Sequence, residues 1–145
     1  MTVRRPSGAP PPAVARIAGA ETPLGPLADE ICDRYRQEFP DEAERYGDAG
    51  TAWCRHDNQW LLSWAVGDVL GATDLCEQAR WLAEVLEARG FPVDRLARDL
   101  EIAADVVADG CFGDASLAVA SRLSTAAETV AGLKSSRSPV PNDQE

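Results

Sequence analysis

Residues 51–69, TAWCRHDNQWLLSWAVGDV, hold three of the four tryptophans and the only histidine of the chain. No proline occurs from Asp41 to Phe91, so the stretch is free to be an uninterrupted helix. At about 100° per residue, Trp53, Trp60 and Trp64 fall on one narrow ridge. Cys54, Leu61, Ala65 and Val69 lie on one flank, and His56, Ser63 and Gly67 on the other. Asp57 and Asp68 fall between the ridge and the apolar flank. More than half of the circumference is apolar, so this helix is expected to be largely buried and central, with the other helices packed around it.

Prolines and glycines divide the rest. Residues 1–21 are rich in Pro, Ala, Gly and Arg, with Pro10, Pro11 and Pro12 in a row, and read as a disordered tail. Residues 133–145 read the same way, which leaves 22–132 as one folded domain. The spacing predicts a helix from near Pro26 to Pro40, with Leu27, Ile31, Cys32 and Tyr35 inward. A short helix, Glu42 to Tyr46, is capped by Asp41 and ended by Gly47. The tryptophan helix starts at Asp48 or Thr51 and stops at Gly71.

A further helix runs from an N-cap at Thr73 to Gly90, with Leu75, Ala79, Leu82, Ala83 and Leu86 as its stripe. Pro92 opens the next, ended by Gly110, with Leu96, Ala97, Leu100, Ala103, Ala104 and Val107 inward. Asp114 caps the last, which Gly132 ends, with Val119, Ala120, Leu123, Ala127 and Val130 inward. That helix is rich in Ala and Ser and is expected to pack most weakly. No stretch shows the alternation of a strand. The fold class is therefore all-α: a bundle with a four-helix antiparallel core, one further main helix, one short helix and disordered termini.

Charge and cysteine usage narrow the function classes. The formal net charge is -10, and the first twenty residues carry three arginines and no acid, so the remainder is more acidic still. Such a surface repels phosphate backbones and anionic lipid, which disfavours nucleic-acid and membrane partners. Cys32, Cys54, Cys76 and Cys111 have no CxxC spacing, and no basic segment precedes a long apolar run. The reading is a reduced, cytoplasmic protein without a metal site.

Each candidate site residue has a structural and a functional reading. The ridge of Trp53, Trp60 and Trp64 is either core filler or the wall of a ligand pocket, with small Ser63 and Gly67 leaving room beside the rings. His56 and Asp57 are then its polar anchors. Asp57 otherwise caps a backbone, accepts from a Trp N–H, or pairs with an arginine such as Arg36 or Arg80. Asp68, near the helix end, is expected to meet solvent. Trp81 with Val85 and Phe91 is the candidate partner patch, against the plain reading of Trp81 as a helix-edge residue. One histidine excludes the multi-histidine metal sites of HD-type phosphohydrolases, and Gln59 and Trp60 stand where phosphotransfer domains have Lys-Gly.

The segments HDNQWLLSWAVGDVLG at 56–71, QARWLAEVLEARGFP at 78–92 and LARDLEIAADVV at 96–107 carry a resemblance. An aromatic-rich helix, a short acidic turn and W-x-x-x-x-L-x-A-R-G-x-P resemble helical regions that accompany bacterial cobalamin-binding domains or occur in STAS-type stress regulators. The resemblance covers under half of the chain and implies a helical fold with a sensory or docking role. Cobalt-ligating cobalamin domains carry D-x-H-x-x-G; here Cys54 and Gln59 stand at the Asp and Gly positions. Cobalamin or another tetrapyrrole enters only through this resemblance, and no cofactor is assigned.

The expected function is a small non-enzymatic regulatory or sensory module acting on a protein partner, by self-association or through a small ligand. One alternative is a binding protein for an aromatic or tetrapyrrole-like molecule. Another is an enzyme using His56 and Asp57 as an acid–base pair.

Overall fold

A computed structural model describes residues 8–137. The outer parts of both expected tails lie outside the described residues. The chain forms a short hairpin, β1 (Val14–Ile17) and β2 (Ala20–Pro23), followed by α1 (Leu24–Glu38), α2 (Asp41–Val69), α3 (Leu75–Ala88), α4 (Val93–Ala108) and α5 (Ser116–Arg137). A single 3-10 turn, Gly113–Ala115, precedes α5. The architecture is an all-α bundle with this hairpin at its edge. Among the described residues no helix is long and apolar enough to cross a membrane.

The hairpin corrects two expectations: that the chain holds no strand, and that residues up to 21 form a tail. β1 and β2 pair antiparallel, Val14 opposite Pro23 and Ile17 opposite Ala20. Ala18 and Gly19 make the two-residue turn, both with positive φ. Ala15 and Ile17 are buried while Val14 and Arg16 face out. That is the period-2 alternation of a strand, in a segment too short to stand out beside a proline run. The fold fastens the hairpin through Ala13 O, which accepts from Leu24 N, and through Thr22 Oγ1, which donates to Cys111 O.

The helix boundaries follow the punctuation with small shifts. Pro26 sits in the first turn of α1, where its missing N–H has no intrahelical role. The expected short helix and the tryptophan helix are joined as α2, broken at Gly47, whose φ 59 and ψ -149 only glycine adopts without strain. Asp74, not Thr73, caps α3, accepting from Glu77 N. At the start of α5, Ser116 rather than Asp114 holds the turn: its Oγ accepts from the buried Phe112 N. α5 also runs past Gly132 to Arg137, since a lone glycine costs a helix only about 1 kcal/mol.

Packing reverses the expected ranks of two helices. The most extensive seam in the molecule lies between α4 and α5, and α5 also meets α2 and α3. Ala120, Ala126 and Ala127 are buried there beside Val119, Leu123 and Val130. Small side chains let the helix axes approach closely, so the Ala-rich helix is a principal packer, not the weakest. α1 lies across α2 and α4. The tryptophan helix is not buried on all sides: its core face is Asn58, Gln59, Leu61, Leu62, Ala65 and Val66, and its tryptophans are half-buried. Rings this large are rarely enclosed completely in a small bundle.

Candidate functional site

The half-buried ridge lines a cleft of about 490 Å³ between α2 and α3. Trp53, Trp60 and Trp64 come from α2, and Trp81, Val85 and Leu86 from α3. The rings of Trp60 and Trp64 stack with centroids 5.6 Å apart at 27°. Trp53 meets the His56 ring edge-on at 5.3 Å, and the Arg89 guanidinium lies 5.1 Å from the Trp53 centroid. These two contacts restrain the Trp53 ring.

The wall owes its position to the α2–α3 turn. A Cβ on Gly67 would come within 2.6 Å of Thr73 Oγ1, so only glycine lets the turn close this tightly. Thr73 Oγ1 donates to Trp64 O at 2.8 Å. Asp68 does not face solvent as expected: Oδ2 accepts from Leu75 N at 2.7 Å, and Oδ1 pairs with Arg122 of α5. Three helices are thereby tied together directly behind Trp64.

The expected polar anchors are both in the cleft. His56 Nδ1 lies 3.1 Å from Asp57 Oδ1, and both side chains are largely shielded. Asp57 thus pairs with neither Arg36 nor Arg80 but with the adjacent imidazole, with Arg89 also near. Burial pushes its carboxyl above the ordinary range, and the His56 and Arg89 interactions pull it back. The expected partner patch is divided. Trp81, 56% exposed, and Val85 border the tryptophan cleft, whereas Phe91 lies on a second cavity, 6.2 Å from the Tyr46 ring.

That second cavity, about 460 Å³, is open to the surface and bordered by α1, α2, the end of α3, the α3–α4 connection and α4. It shares Trp53, Asp57, Leu86 and Arg89 with the cleft. Its floor holds Asp99 of α4, only 6% exposed, which accepts from Asn58 Nδ2 at 3.1 Å. Burial pushes the Asp99 carboxyl up to about 7; the Asn58 hydrogen bond works against this, and the Asp57 and Glu42 charges work with it. Tyr35 Oη donates to Glu42 Oε2 at 2.9 Å, and burial with the Glu42 charge holds that phenol firmly protonated. Arg95 is taken up by Asp41 and Glu42.

The sequence reading missed Asp99 and Asn58. Asp99 falls at the edge of the α4 stripe, beside Leu96 and Ala103, where a boundary residue and a buried one look alike. Asn58 is on the face of α2 turned toward α1 and α4, within the apolar flank of Cys54, Leu61 and Ala65 and about 140° from the tryptophan ridge at about 100° per residue; a polar side chain inside that flank was the signal available. Among the described residues no group of three or more His, Cys, Asp or Glu side chains is arranged to hold a metal ion. No protein-family model, curated protein or solved structure matches the chain.

Proposed function

We propose that this protein is a small non-enzymatic sensory or regulatory module that takes a flat, largely apolar molecule in the cleft between α2 and α3. The observation that carries the reading is the gathering of all four tryptophans of the chain around one cleft. The polar groups there, His56, Asp57, Gln78 and Arg89, are few beside the aromatic surface. Concave, mostly apolar surfaces with a few polar groups are the usual form of small-molecule sites, and about 490 Å³ suits a ligand of two or three fused rings. Stacking on Trp60 and Trp64 supplies affinity, and the polar edge supplies orientation.

Naphthalene and indole serve as first probes in a titration followed by tryptophan fluorescence. Saturable quenching that Trp60→Ala abolishes, with the helical spectrum intact, supports the reading. Absence of saturable quenching by any planar aromatic of this size sinks it.

The exposure of Trp81 at the cleft rim favours a second reading, in which a protein partner covers the cleft mouth. In that case, with a second copy of the chain as the partner, Trp81→Ala weakens self-association measured by sedimentation-velocity ultracentrifugation while leaving aromatic binding unchanged.

A further inference from the structure

We infer that the cavity floored by Asp99 is a second binding site, for a small organic cation made of an ammonium group on an aromatic or aliphatic body. The inference does not rest on the tryptophan cleft, because Asp99 and Asn58 border only the second cavity and Trp60, Trp64 and Trp81 border only the first.

Three observations point to a cation. Asp99 is a buried carboxylate lining a cavity, and among the described residues it forms no ion pair with a basic side chain. Isolated buried carboxylates are costly, and a ligand bearing the opposite charge removes that cost. Asn58, 2% exposed and lining the same cavity, carries a carbonyl oxygen, Oδ1, that accepts no hydrogen bond from any described group. Its amide nitrogen is committed to Asp99 Oδ1 and to Cys54 O at 3.0 Å. A carboxylate held by one neutral donor and no cation, beside a carbonyl with no donor at all, lacks positive charge and N–H groups, which is what an ammonium supplies.

The remaining lining agrees. Glu42 and Asp57 add two further carboxylates, against the guanidiniums of Arg89 and Arg95. Arg95 is already shared between Asp41 and Glu42, and Arg89 lies against the Trp53 ring. An anionic ligand would therefore meet excess negative charge. Tyr46, Trp53, Phe91, Leu61 and Leu96 give the cavity apolar walls for the body of the ligand.

The test uses the full chain and phenethylamine, with 2-phenylethanol as the uncharged analogue of the same shape. Binding is followed by amide and side-chain NMR shifts at about pH 8, where phenethylamine is charged and a carboxylate pushed toward neutrality is ionised. The expected result is saturable shifts at the Asn58 side chain and the Asp99 amide with phenethylamine. 2-Phenylethanol should bind at least about tenfold more weakly, since its hydroxyl can donate only one hydrogen bond and brings no positive charge to the buried carboxylate. Asp99→Asn, which keeps the shape, should weaken phenethylamine by a similar factor, while Trp60→Ala leaves it unchanged. Equal affinity for the two probes, or no saturable shift at Asn58 and Asp99, overturns the inference without recourse to any variant. So does undiminished phenethylamine binding by a folded Asp99→Asn protein.

Discussion

The α4–α5 seam and the surroundings of α2 are built from different materials. At the seam, Leu100, Ala103, Val107, Val119, Leu123 and Val130 are closed off from solvent and carry no polar side-chain atom. Around α2, the Trp53, Trp60 and Trp64 rings are half-exposed, and Asn58, Asp57 and Asp99 bring hydrogen-bonding groups below the surface. The seam gains by dense packing of aliphatic groups. The α2 side leaves two cavities of several hundred Å³ and holds buried carboxylates at a cost. The dense packing is thus centred on α4 and α5 and the candidate chemistry on α2 and its neighbours, and α4 serves both: Leu100, Ala103 and Val107 are closed off, while Arg95, Leu96 and Asp99 line the second cavity.

The sharpest way to break that contrast is to shorten one side chain on each side. Leu123→Ala should cost about 2–5 kcal/mol, because close-packed neighbours on α4 cannot collapse into the space. Trp60→Ala, although it removes far more atoms, should cost roughly 1–2 kcal/mol, since its ring already faces the cleft. Urea unfolding of both variants provides the measurement, and equal losses would mean that the tryptophan ridge is core after all.

A second prediction concerns the cost of the buried carboxylate. The folded protein keeps the Asp99 proton up to about pH 7, whereas an unfolded chain releases it near pH 4. Between those values the native state binds more protons than the unfolded state, so stability falls as pH rises through this window and levels off above it. Asp57, also raised by burial, acts in the same direction. Asp99→Asn should remove a contribution on the order of a few kcal/mol and flatten the dependence. Exposed pairs such as Arg98–Glu38 are common to both proteins and cancel in the comparison. Parallel stability-versus-pH curves for the two proteins would show that Asp99 does not carry this linkage.

The smallest expected effect lies at the cleft rim. Trp81→Ala should change stability by no more than about 0.5 kcal/mol, because the ring is mostly exposed. A loss well above that in thermal unfolding would place Trp81 within the packing of α3 and blur the distinction between rim and core.

Much of the fold was legible because prolines, glycines and apolar spacing act over a few residues. The inward stripes of α3, α4 and α5 follow directly from a 3.6-residue period, and each of Leu82, Leu100 and Leu123 is buried as that period requires. The break at Gly47 was legible for the same reason, although the chain realises it as a kink within α2. The hairpin was not legible, because four-residue strands carry too little alternation and draw their stability from contacts with α1 and α2.

For the candidate site, the sequence marked the ridge, His56 and Asp57 as one surface, since residues three, four and seven apart share a helix face. It left open whether that surface was covered, and it treated Trp81 and Val85 as a separate patch. Only the approach of α3 to α2, fixed by Thr73 on Trp64 O and by Asp68 on Leu75 N, brings the four tryptophans to one cleft. Asp99 and Asn58 are 41 residues apart and come within hydrogen-bonding distance only when α2 and α4 both pack against α1. Local spacing determines which face of a helix is apolar; which neighbour meets that face, and whether it arrives closely enough to bury a carboxylate, depends on packing between distant segments.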